Sequence, residues 1–132
     1  MVEPEIERSA VMGLEFAERP WGSWHVIDAA DGYKIKRIHV APGGRLSLQT
    51  HKHRSEHWVV IQGEATCTVD DAVVTVPTGS SIDVPLGARH RLCNDSADEE
   101  LVIVEVQLGG YTGEDDICRL EDDYGRHEEP RP

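Results

Sequence analysis

The stretch at residues 42–63, PGGRLSLQTHKHRSEHWVVIQG, constrains the fold of this chain more than any other segment. It places an amide, two imidazoles and a carboxylate close together between two glycine-containing turns, in Gln49, His51, His53 and Glu56. Because successive side chains of an extended strand alternate between faces, the pattern predicts that Gln49, His51 and His53 point the same way. After a short turn, Glu56 opens an apolar run that predicts the return strand of a hairpin. Nitrogen and oxygen donors gathered in this way indicate a divalent-metal site.

Short apolar segments separated by turns that contain Gly, Pro or Asp continue along the rest of the chain. About nine such segments at regular spacing, with no helical pattern before residue 112, predict an all-β fold, a β-sandwich or jelly-roll β-barrel. We expect Trp21, Trp24 and Trp58 to fill the core or an interface. Beyond residue 113 we expect one short helix at 114–120 or an irregular tail. Outside the central hairpin, the predicted strands are at residues 23–28, 33–41, 65–69, 72–76, 80–84, 89–94 and 101–108.

The length of 132 residues fits one domain. We divide the chain into an N-terminal arm at 1–18, a barrel domain at 19–126 and a C-terminal tail at 127–132. The arm is either loose or adds a strand to a sheet edge or to a partner. An acidic N-terminus without an apolar signal segment, and three cysteines without CxxC spacing, predict a cytoplasmic protein with reduced thiols and no membrane segment. Exposed sheet edges tend to pair, which favours a homodimer.

The distribution of charge points to a small anionic ligand. A net charge of −12 disfavours nucleic acids and anionic membranes as partners. Residues 33–55 nevertheless contain no Asp or Glu but six basic residues and three histidines. A basic segment beside a metal site predicts anion binding, with a solvated strand face paired to acids elsewhere as the alternative. The six basic residues are Lys34, Lys36, Arg37, Arg45, Lys52 and Arg54.

A second segment supplies another donor. Residues 79–94, GSSIDVPLGARHRLCN, contain a Pro-Leu-Gly turn followed by His90 at the start of a strand. A barrel brings strands from distant parts of the chain to face one axis, so His90 is the natural fourth ligand beside the hairpin. A single histidine in such a place is also often a core residue with satisfied hydrogen bonds.

The spacers of both segments match the two motifs of the cupin superfamily in full. The first runs from Gly43 through Gln49, His51 and Glu56 to Gly63, and the second from Gly79 through Pro85, Gly87 and His90 to Asn94. Most cupins have His where this chain has Gln49. The resemblance implies a single-domain cupin, a jelly-roll β-barrel.

The chain resembles one cupin family more closely, the C-terminal cupin domain of type II phosphomannose isomerases, which are bifunctional with mannose-1-phosphate guanylyltransferase. The likeness spans residues 19–126 and implies a stand-alone, metal-dependent isomerase that interconverts mannose 6-phosphate and fructose 6-phosphate through an enediol. A nucleotidyltransferase domain has no room in 132 residues, and no Gly-rich phosphate loop is present, so guanylyl transfer is not expected. The matching segments are RPWGSW, YKIKRI, PGGRLSLQTHKHRSEHWVVIQG, PLGARHRL and VEVQLGGYTGEDDICRLEDDYGR.

The resemblance also implies which residues bind the metal. Type I isomerases, also cupins, hold zinc through a Gln-x-His pair, a Glu and a late His, which match Gln49, His51, Glu56 and His90. The alternative register pairs His51 with His53 but leaves no Glu at the required place and disrupts the glycine spacers. Zinc is favoured as the ion, while Mn, Co, Ni or Fe would also suit these donors.

An aldose–ketose isomerase must polarise a carbonyl, stabilise the enediolate and move a proton between carbons. We expect His53 to act as the base and Arg54 as a second catalytic residue, with His57 and a metal-bound hydroxide as alternatives for the base. Arginine is preferred to lysine for phosphate because it makes bidentate contacts. The candidates for sugar-phosphate binding are Arg45, Lys36 and Arg91, beside Arg54.

Several further polar residues allow more than one role. Glu105 and Gln107 either reach sugar hydroxyls or lie on the surface. The tail acids Glu114, Asp115 and Asp116 either cap the N-terminus of the expected helix, which we favour, or close over the barrel mouth. Two alternatives to the isomerase are a non-catalytic metal- and sugar-binding cupin module and, less favoured, an oxygen-using metal cupin such as a dioxygenase.

Overall fold

The computed structural model describes residues 15–125, which form eleven β-strands and no helix. The all-β fold predicted from the sequence is therefore confirmed, and the described part of the chain contains no helix that could cross a membrane. The strands are β1 Phe16–Arg19, β2 Gly22–Ala30, β3 Tyr33–Val40, β4 Leu48–Thr50, β5 Ser55–Gln62, β6 Ala65–Val69, β7 Ala72–Val76, β8 Ser81–Val84, β9 His90–Cys93, β10 Leu101–Leu108 and β11 Cys118–Glu121.

The strands form two antiparallel sheets whose buried faces enclose one core. The six-stranded sheet has the order β1-β2-β3-β10-β5-β8, and the five-stranded sheet has the order β11-β4-β9-β6-β7. Trp21, Trp24 and Trp58 are all buried in this core, as predicted. Strands from both halves of the chain alternate in each sheet, which brings the two sequence motifs together.

The interior is apolar at one end and polar at the other. Along β10, Leu101 and Ile103 are followed by Glu105 and Gln107, and all four side chains are buried. The antiparallel register continues this division into the neighbouring strands, because Glu105 lies opposite Lys36 on β3. Buried polar groups cost free energy unless they are paired. The polar end of the barrel is therefore where a functional site is expected.

The C-terminal segment forms a strand where a helix was predicted. Glu114 and Asp115 lie in a turn, and β11 then pairs antiparallel with β4, with Cys118 opposite Thr50 and Arg119 opposite Gln49. An isolated helix of this length is marginal, whereas the edge of β4 offers backbone hydrogen bonds. The predicted helix at 114–120, and with it the favoured capping role of the tail acids, is wrong.

The predicted boundary between the N-terminal arm and the barrel, at 18/19, falls within strand β1, Phe16–Arg19. β1 pairs antiparallel with β2 at the edge of the six-stranded sheet, so an edge strand forms from residue 16 onward. The rest of the predicted arm, residues 1–14, and the predicted tail at 127–132 lie outside the described residues. The division at 18/19 and 126/127 stays a prediction.

One glycine marks a close contact between the end of β10 and the loop before β5. A Cβ atom added to Gly109 would lie 2.1 Å from the carbonyl oxygen of His53 and 2.9 Å from the Cα atom of Arg54. Real Cβ atoms do not approach backbone atoms so closely, so only glycine fits here. The contact fixes the backbone between His51 and Glu56.

Candidate metal centre

Three buried side chains bring metal-ligand atoms to one point. The ligand atoms of His51, Glu56 and His90 all lie within 4.8 Å of one another. Nε2 of His51 is 3.2 Å from Oε2 of Glu56, and Nε2 of His90 is 3.9 Å from Oε1 of Glu56. Glu56 is on β5 of the six-stranded sheet and His90 on β9 of the five-stranded sheet. Two imidazoles and a carboxylate form a donor set that could hold a divalent metal ion.

Both histidines turn the same ring nitrogen toward the cluster. Nδ1 of His51 lies 2.6 Å from the carbonyl oxygen of Asp116, and Nδ1 of His90 lies 3.0 Å from that of Ala88. A carbonyl oxygen only accepts hydrogen bonds, so Nδ1 is the donor to it and Nε2 is the nitrogen directed at Glu56 that a metal ion would bind. Burial, the largest effect, lowers the pKa of His90 and favours its neutral form. Metal-bound histidines are held in this way by acceptors on their second nitrogen.

Gln49 completes the predicted ligand set from the neighbouring strand. It lies opposite His90 in the pairing of β4 with β9. Its Nε2 donates to Oγ of Ser47 at 2.8 Å, so Oε1 is the end of the amide left for a ligand bond. A cavity of about 20 Å³ is lined by Gln49, Glu56, His90 and Glu105, among others. A cavity needs about 10–15 Å³ to hold one water molecule, so this cavity has room for one water molecule or one metal ion.

Glu56 is held by two donors besides the histidines. Nε of Arg54 donates to Oε2 at 2.9 Å, and Nε1 of Trp58 donates to Oε1 at 2.8 Å. Arg54 also donates from Nη2 to Nε2 of His51 at 3.1 Å. A metal ion would use that same lone pair, so metal binding and the Nη2 hydrogen bond exclude each other. Nη1 of Arg54 is buried and has no hydrogen-bond partner among residues 15–125.

Two carboxyl groups in the polar interior have opposite pKa shifts. Burial opposes ionisation of Glu56, but its contacts with His51 and His90 hold its pKa well below the usual value. Burial and the neighbouring Glu56 carboxylate raise the pKa of Glu105 to about 8. Gln107 donates to Oε1 of Glu105 at 2.7 Å. Because the two pKa values lie far apart, Glu56 is an ionised carboxylate and Glu105 is a carboxylic acid at neutral pH. The two groups can therefore take different chemical roles.

A larger cavity opens beside the donor atoms at the mouth of the barrel. Its volume is about 90 Å³. Nζ of Lys36 lies in this region, 3.8 Å from the centroid of the Trp24 ring and 2.6 Å from Oε2 of Glu114. The polar side chains that line the cavity include Lys36, Gln49, His51, Arg54, Glu105 and Glu114. The arrangement places cationic side chains next to the candidate metal ligands.

The structure brings the predicted ligands together but not the predicted base. β4 ends at Thr50, and His53 lies in a bend with an exposed side chain, its ring 6.0 Å from that of Tyr111. The expectation that one extended strand carries His53 to the inner face is therefore wrong, and the alternative His51–His53 ligand pair does not form. The backbone turns here because Asp116 binds the amides of Lys52 and His53.

Two of the predicted phosphate-binding arginines are paired with groups outside the 90 Å³ cavity, although Arg91 lines the 20 Å³ cavity beside Glu56 and His90. Nε of Arg45 lies 3.2 Å from Oδ2 of Asp123. Arg91 donates from Nε to the carbonyl oxygen of Leu46 at 3.0 Å, and its Nη1 lies 3.5 Å from a carboxylate oxygen of Glu121. Neither arginine is among the described residues that line the 90 Å³ cavity. Lys36 and Arg54 are the predicted cations that the structure brings there.

Three residues at the barrel mouth are only loosely predicted by the sequence. Glu105 has a surface position as an equal alternative, and Lys34 is included only in the basic segment expected to bind an anion. Glu114 belongs to the tail acids, for which closing over the barrel mouth is the less favoured alternative, and it is this position that the structure gives it. The available signal was strand alternation, which puts Lys34 and Lys36 on one face of β3. It could not tell which face is inward, because both faces of YKIKRIHV contain apolar and polar residues.

Asp116 connects the C-terminal segment to the loop that carries the ligands. Its Oδ1 accepts from the backbone N–H of Lys52 at 2.9 Å, and its Oδ2 accepts from that of His53 at 2.9 Å. Its own carbonyl oxygen accepts from Nδ1 of His51. Asp116 therefore fixes both the loop backbone and the orientation of a ligand ring.

Asp116→Asn is expected to lower the free energy of unfolding by about 1–3 kcal/mol, because an amide NH₂ would face one of the two buried N–H donors. Metal affinity should fall by about tenfold as His51 loses its fixed acceptor. Urea denaturation and zinc titration measure the two effects. Asp115→Asn, a neighbouring exposed carboxylate, is the matched control and should change stability by less than about 0.5 kcal/mol. Equal effects of the two variants would contradict this role of Asp116.

The effect of Asp116 should also depend on pH. Burial opposes its ionisation, but the two amide hydrogen bonds prevail and keep its pKa below the usual value. A carboxyl with a lowered folded-state pKa stabilises the fold above its unfolded-state pKa, about 3.9, and loses that contribution as the pH falls through the folded-state value. The stability difference between wild type and Asp116→Asn should therefore be constant near neutral pH and shrink below about pH 4.

Comparison with protein families identifies the relatives of this chain. The family model described as "Mannose-6-phosphate isomerase C-terminal" matches residues 7–122. The alginate biosynthesis protein AlgA of Pseudomonas aeruginosa is 49% identical over 112 residues, which are 85% of this chain and 23% of that protein. A mannose-1-phosphate guanylyltransferase of Escherichia coli is 48% identical over 108 residues, 82% of this chain and 22% of that protein. The chain thus spans less than a quarter of the length of these relatives.

Solved structures show the same fold at low sequence identity. An RmlC-like cupin from Shewanella frigidimarina superposes with a TM-score of 0.66 at 17% identity, covering 76% of this chain and 86% of that one. The oxalate decarboxylase of Lactobacillus farciminis gives a TM-score of 0.69 at 22% identity, covering 80% of this chain and 33% of that one. These likenesses confirm the cupin barrel predicted from the two motifs.

The expectation of a stand-alone isomerase is wrong. The region shared with this chain is less than a quarter of each relative, one of which is named a mannose-1-phosphate guanylyltransferase, so the match shows a cupin domain that occurs within longer proteins. The resemblance in the sequence was correct at the level of the domain but was extended to an independent enzyme. This chain belongs to the mannose-6-phosphate isomerase C-terminal family of cupin domains.

Proposed function

We propose that this cupin domain binds a divalent metal ion through Gln49, His51, Glu56 and His90 and takes up a mannose phosphate beside it. The observation that supports this most directly is the orientation of the two histidines, whose Nδ1 atoms donate to backbone carbonyls while their Nε2 atoms face Glu56. Zinc is the ion we favour, because two imidazoles and a carboxylate are a donor set that zinc takes in catalytic sites.

The phosphate class of ligand follows from the cations at the barrel mouth. Lys36 and Arg54 are buried cations that line the same cavity as Gln49 and His51. Nη1 of Arg54 is a buried donor without a partner among the described residues, so an incoming oxygen anion would satisfy it. The names of the relatives and of the family describe mannose phosphates, which supports this ligand for the present chain.

The reaction we propose for the domain is proton transfer at the sugar carbon next to the carbonyl. A bound divalent ion would supply Lewis acidity to the sugar carbonyl. Glu56 stays ionised, and Arg54 and Trp58 fix its two oxygens. Glu105 is buried beside it and lines the same cavity, so Glu105, rather than the exposed His53, is the proton-transfer group of this proposal. With a pKa of about 8, its ionised form, a minor species at neutral pH, would take the C2 proton and return it to C1.

The setting of the domain is also part of the proposal. Cys67, Cys93 and Cys118 are free thiols, which agrees with a cytoplasmic location. A homodimer stays a prediction, and light scattering of the purified chain would test it.

The test measures metal binding and proton exchange separately. Isothermal titration of the metal-free chain with Zn²⁺ should give one tight site. NMR in D₂O should then show metal-dependent loss of the C2 proton of mannose 6-phosphate. Glu105→Gln should retain the metal site and lose the exchange by about 100-fold or more, whereas Asp71→Asn, an exposed control, should change neither. Failure to bind zinc, manganese or cobalt stoichiometrically would overturn the proposal. Tight metal and sugar-phosphate binding without exchange would overturn the assigned reaction.

A further inference from the structure

Two buried lysines at the barrel mouth converge on one carboxylate. Lys34 and Lys36 occupy successive inward positions on β3, and their exposed fractions are 6% and 4%. Nζ of Lys36 is 2.6 Å, and Nζ of Lys34 is 3.4 Å, from the same oxygen of Glu114, Oε2. Lys34 also lies 3.5 Å from Glu15. A single oxygen that accepts from two ammonium groups occupies the position that an oxygen of a phosphate group would take.

Glu114 is held by charge in a turn that precedes the anchored residue Asp116. Its side chain is 39% exposed, and it lies in a turn between β10 and β11. Burial opposes its ionisation, but Lys36 and then Lys34 prevail and lower its pKa. The carboxylate therefore compensates two buried charges from a partly exposed position.

The space around this carboxylate is too small for a sugar phosphate as it stands. The cavity beside the metal ligands measures about 90 Å³, whereas ligand pockets are generally about 300–1,000 Å³. Glu114 lines that cavity, and Lys34, its partner, lines an open cleft of about 530 Å³ on the other side. The Lys34–Glu114 contact lies between the two spaces. Release of Glu114 would expose both ammonium groups and enlarge the opening toward the metal ligands.

We propose that Lys34 and Lys36 form a phosphomonoester-binding site and that Glu114 occupies it in the ligand-free protein as an internal anion. An incoming phosphate displaces the carboxylate, and the 111–115 turn moves away from the barrel mouth while Asp116 keeps its contacts with His51, Lys52 and His53. The identity of the ligand as a sugar phosphate rests on the proposed function. The competition between phosphate and Glu114 does not require the metal ion and can be tested in its absence.

The first test titrates the metal-free chain, in the presence of a chelator, with inorganic phosphate and with mannose 6-phosphate by calorimetry. Glu114→Gln should bind both about tenfold more tightly than wild type, because no internal anion has to be displaced. Glu121→Gln, which changes the net charge equally in the same tail, should stay within about twofold of wild type. The double variant Lys36→Gln/Glu114→Gln removes both charges of the pair, and it should remain folded by circular dichroism but lose binding.

The second test follows the backbone. Hydrogen–deuterium exchange of the 111–115 turn should rise when phosphate binds to wild type and should already be high in Glu114→Gln. Equal phosphate affinity of wild type and Glu114→Gln, or no change in exchange, would overturn the displacement of Glu114. Undiminished binding by the folded double variant would overturn the phosphate site. A zinc titration of the same samples reports separately on the proposed metal function, so the two can fail independently.

Discussion

Glu56→Gln is expected to abolish divalent-metal binding at the centre of the barrel, with a loss of affinity on the order of 100-fold or more. The same change should lower the free energy of unfolding by about 3 kcal/mol, because it removes the buried charge that compensates Arg54. Arg54 donates to Glu56 at 2.9 Å, and Trp58 donates to its other oxygen at 2.8 Å. A neutral amide of the same shape keeps an acceptor for one donor and presents its own N–H groups to the other.

Zinc calorimetry and urea denaturation of the metal-free protein separate the two effects. Asp71→Asn has the same change of charge at an exposed ion pair with Arg89, and it should alter stability by less than about 1 kcal/mol. Metal affinity of Glu56→Gln equal to that of wild type would show that the cluster of His51, Glu56 and His90 is a structural hydrogen-bond network without a ligand function.

Gly109→Ala is expected to destabilise the protein by about 3 kcal/mol or more and to weaken metal binding. The new Cβ atom would lie 2.1 Å from the backbone oxygen of His53, and neither β10 nor the loop can move without breaking its pairing. Since this loop connects His51 to Arg54 and Glu56, displacement of its backbone also displaces ligand atoms.

The neighbouring glycine offers a matched control. A Cβ atom on Gly110 would meet nothing within 4 Å, and Gly110 is not among the residues with positive φ. Gly110→Ala should therefore stay within about 0.5 kcal/mol of wild type. Thermal and urea unfolding of the two variants test the contact directly. If both alanines are tolerated equally, the loop before β5 does not pack against β10 as described.

The side chains that form the candidate metal centre could be predicted from the sequence because their spacing is local. Gln49, His51 and Glu56 lie within one hairpin, and the second motif adds His90 from a strand whose start is marked by a turn. The strands β6, β7 and β10 have the predicted bounds, since Gly- or Asp-containing turns or clear apolar runs delimit them. Strand bounds and ligand spacing could be predicted where residues close in sequence determine the backbone conformation.

The errors arose where distant residues determine the structure. His53 was expected to continue the alternation of an extended strand, but Asp116, far along the chain, binds the amides of Lys52 and His53 and turns the backbone. The helix expected at 114–120 competes with pairing to the edge of β4, and the pairing prevails. Alternation also leaves open which face of a strand is inward, so the positions of Lys34 and Glu105 required the tertiary structure.

The candidate ligands come from both sheets, with Glu56 on β5 of one layer and Gln49 and His90 on β4 and β9 of the other. An ion shared by these strands would cross-link the two layers, so its binding energy would add to the resistance of the domain to unfolding. Starvation for the metal would then shorten the lifetime of the protein in the cell, because a larger fraction of molecules would open and reach proteases. The amount of this protein in the cell would therefore depend on the supply of the metal.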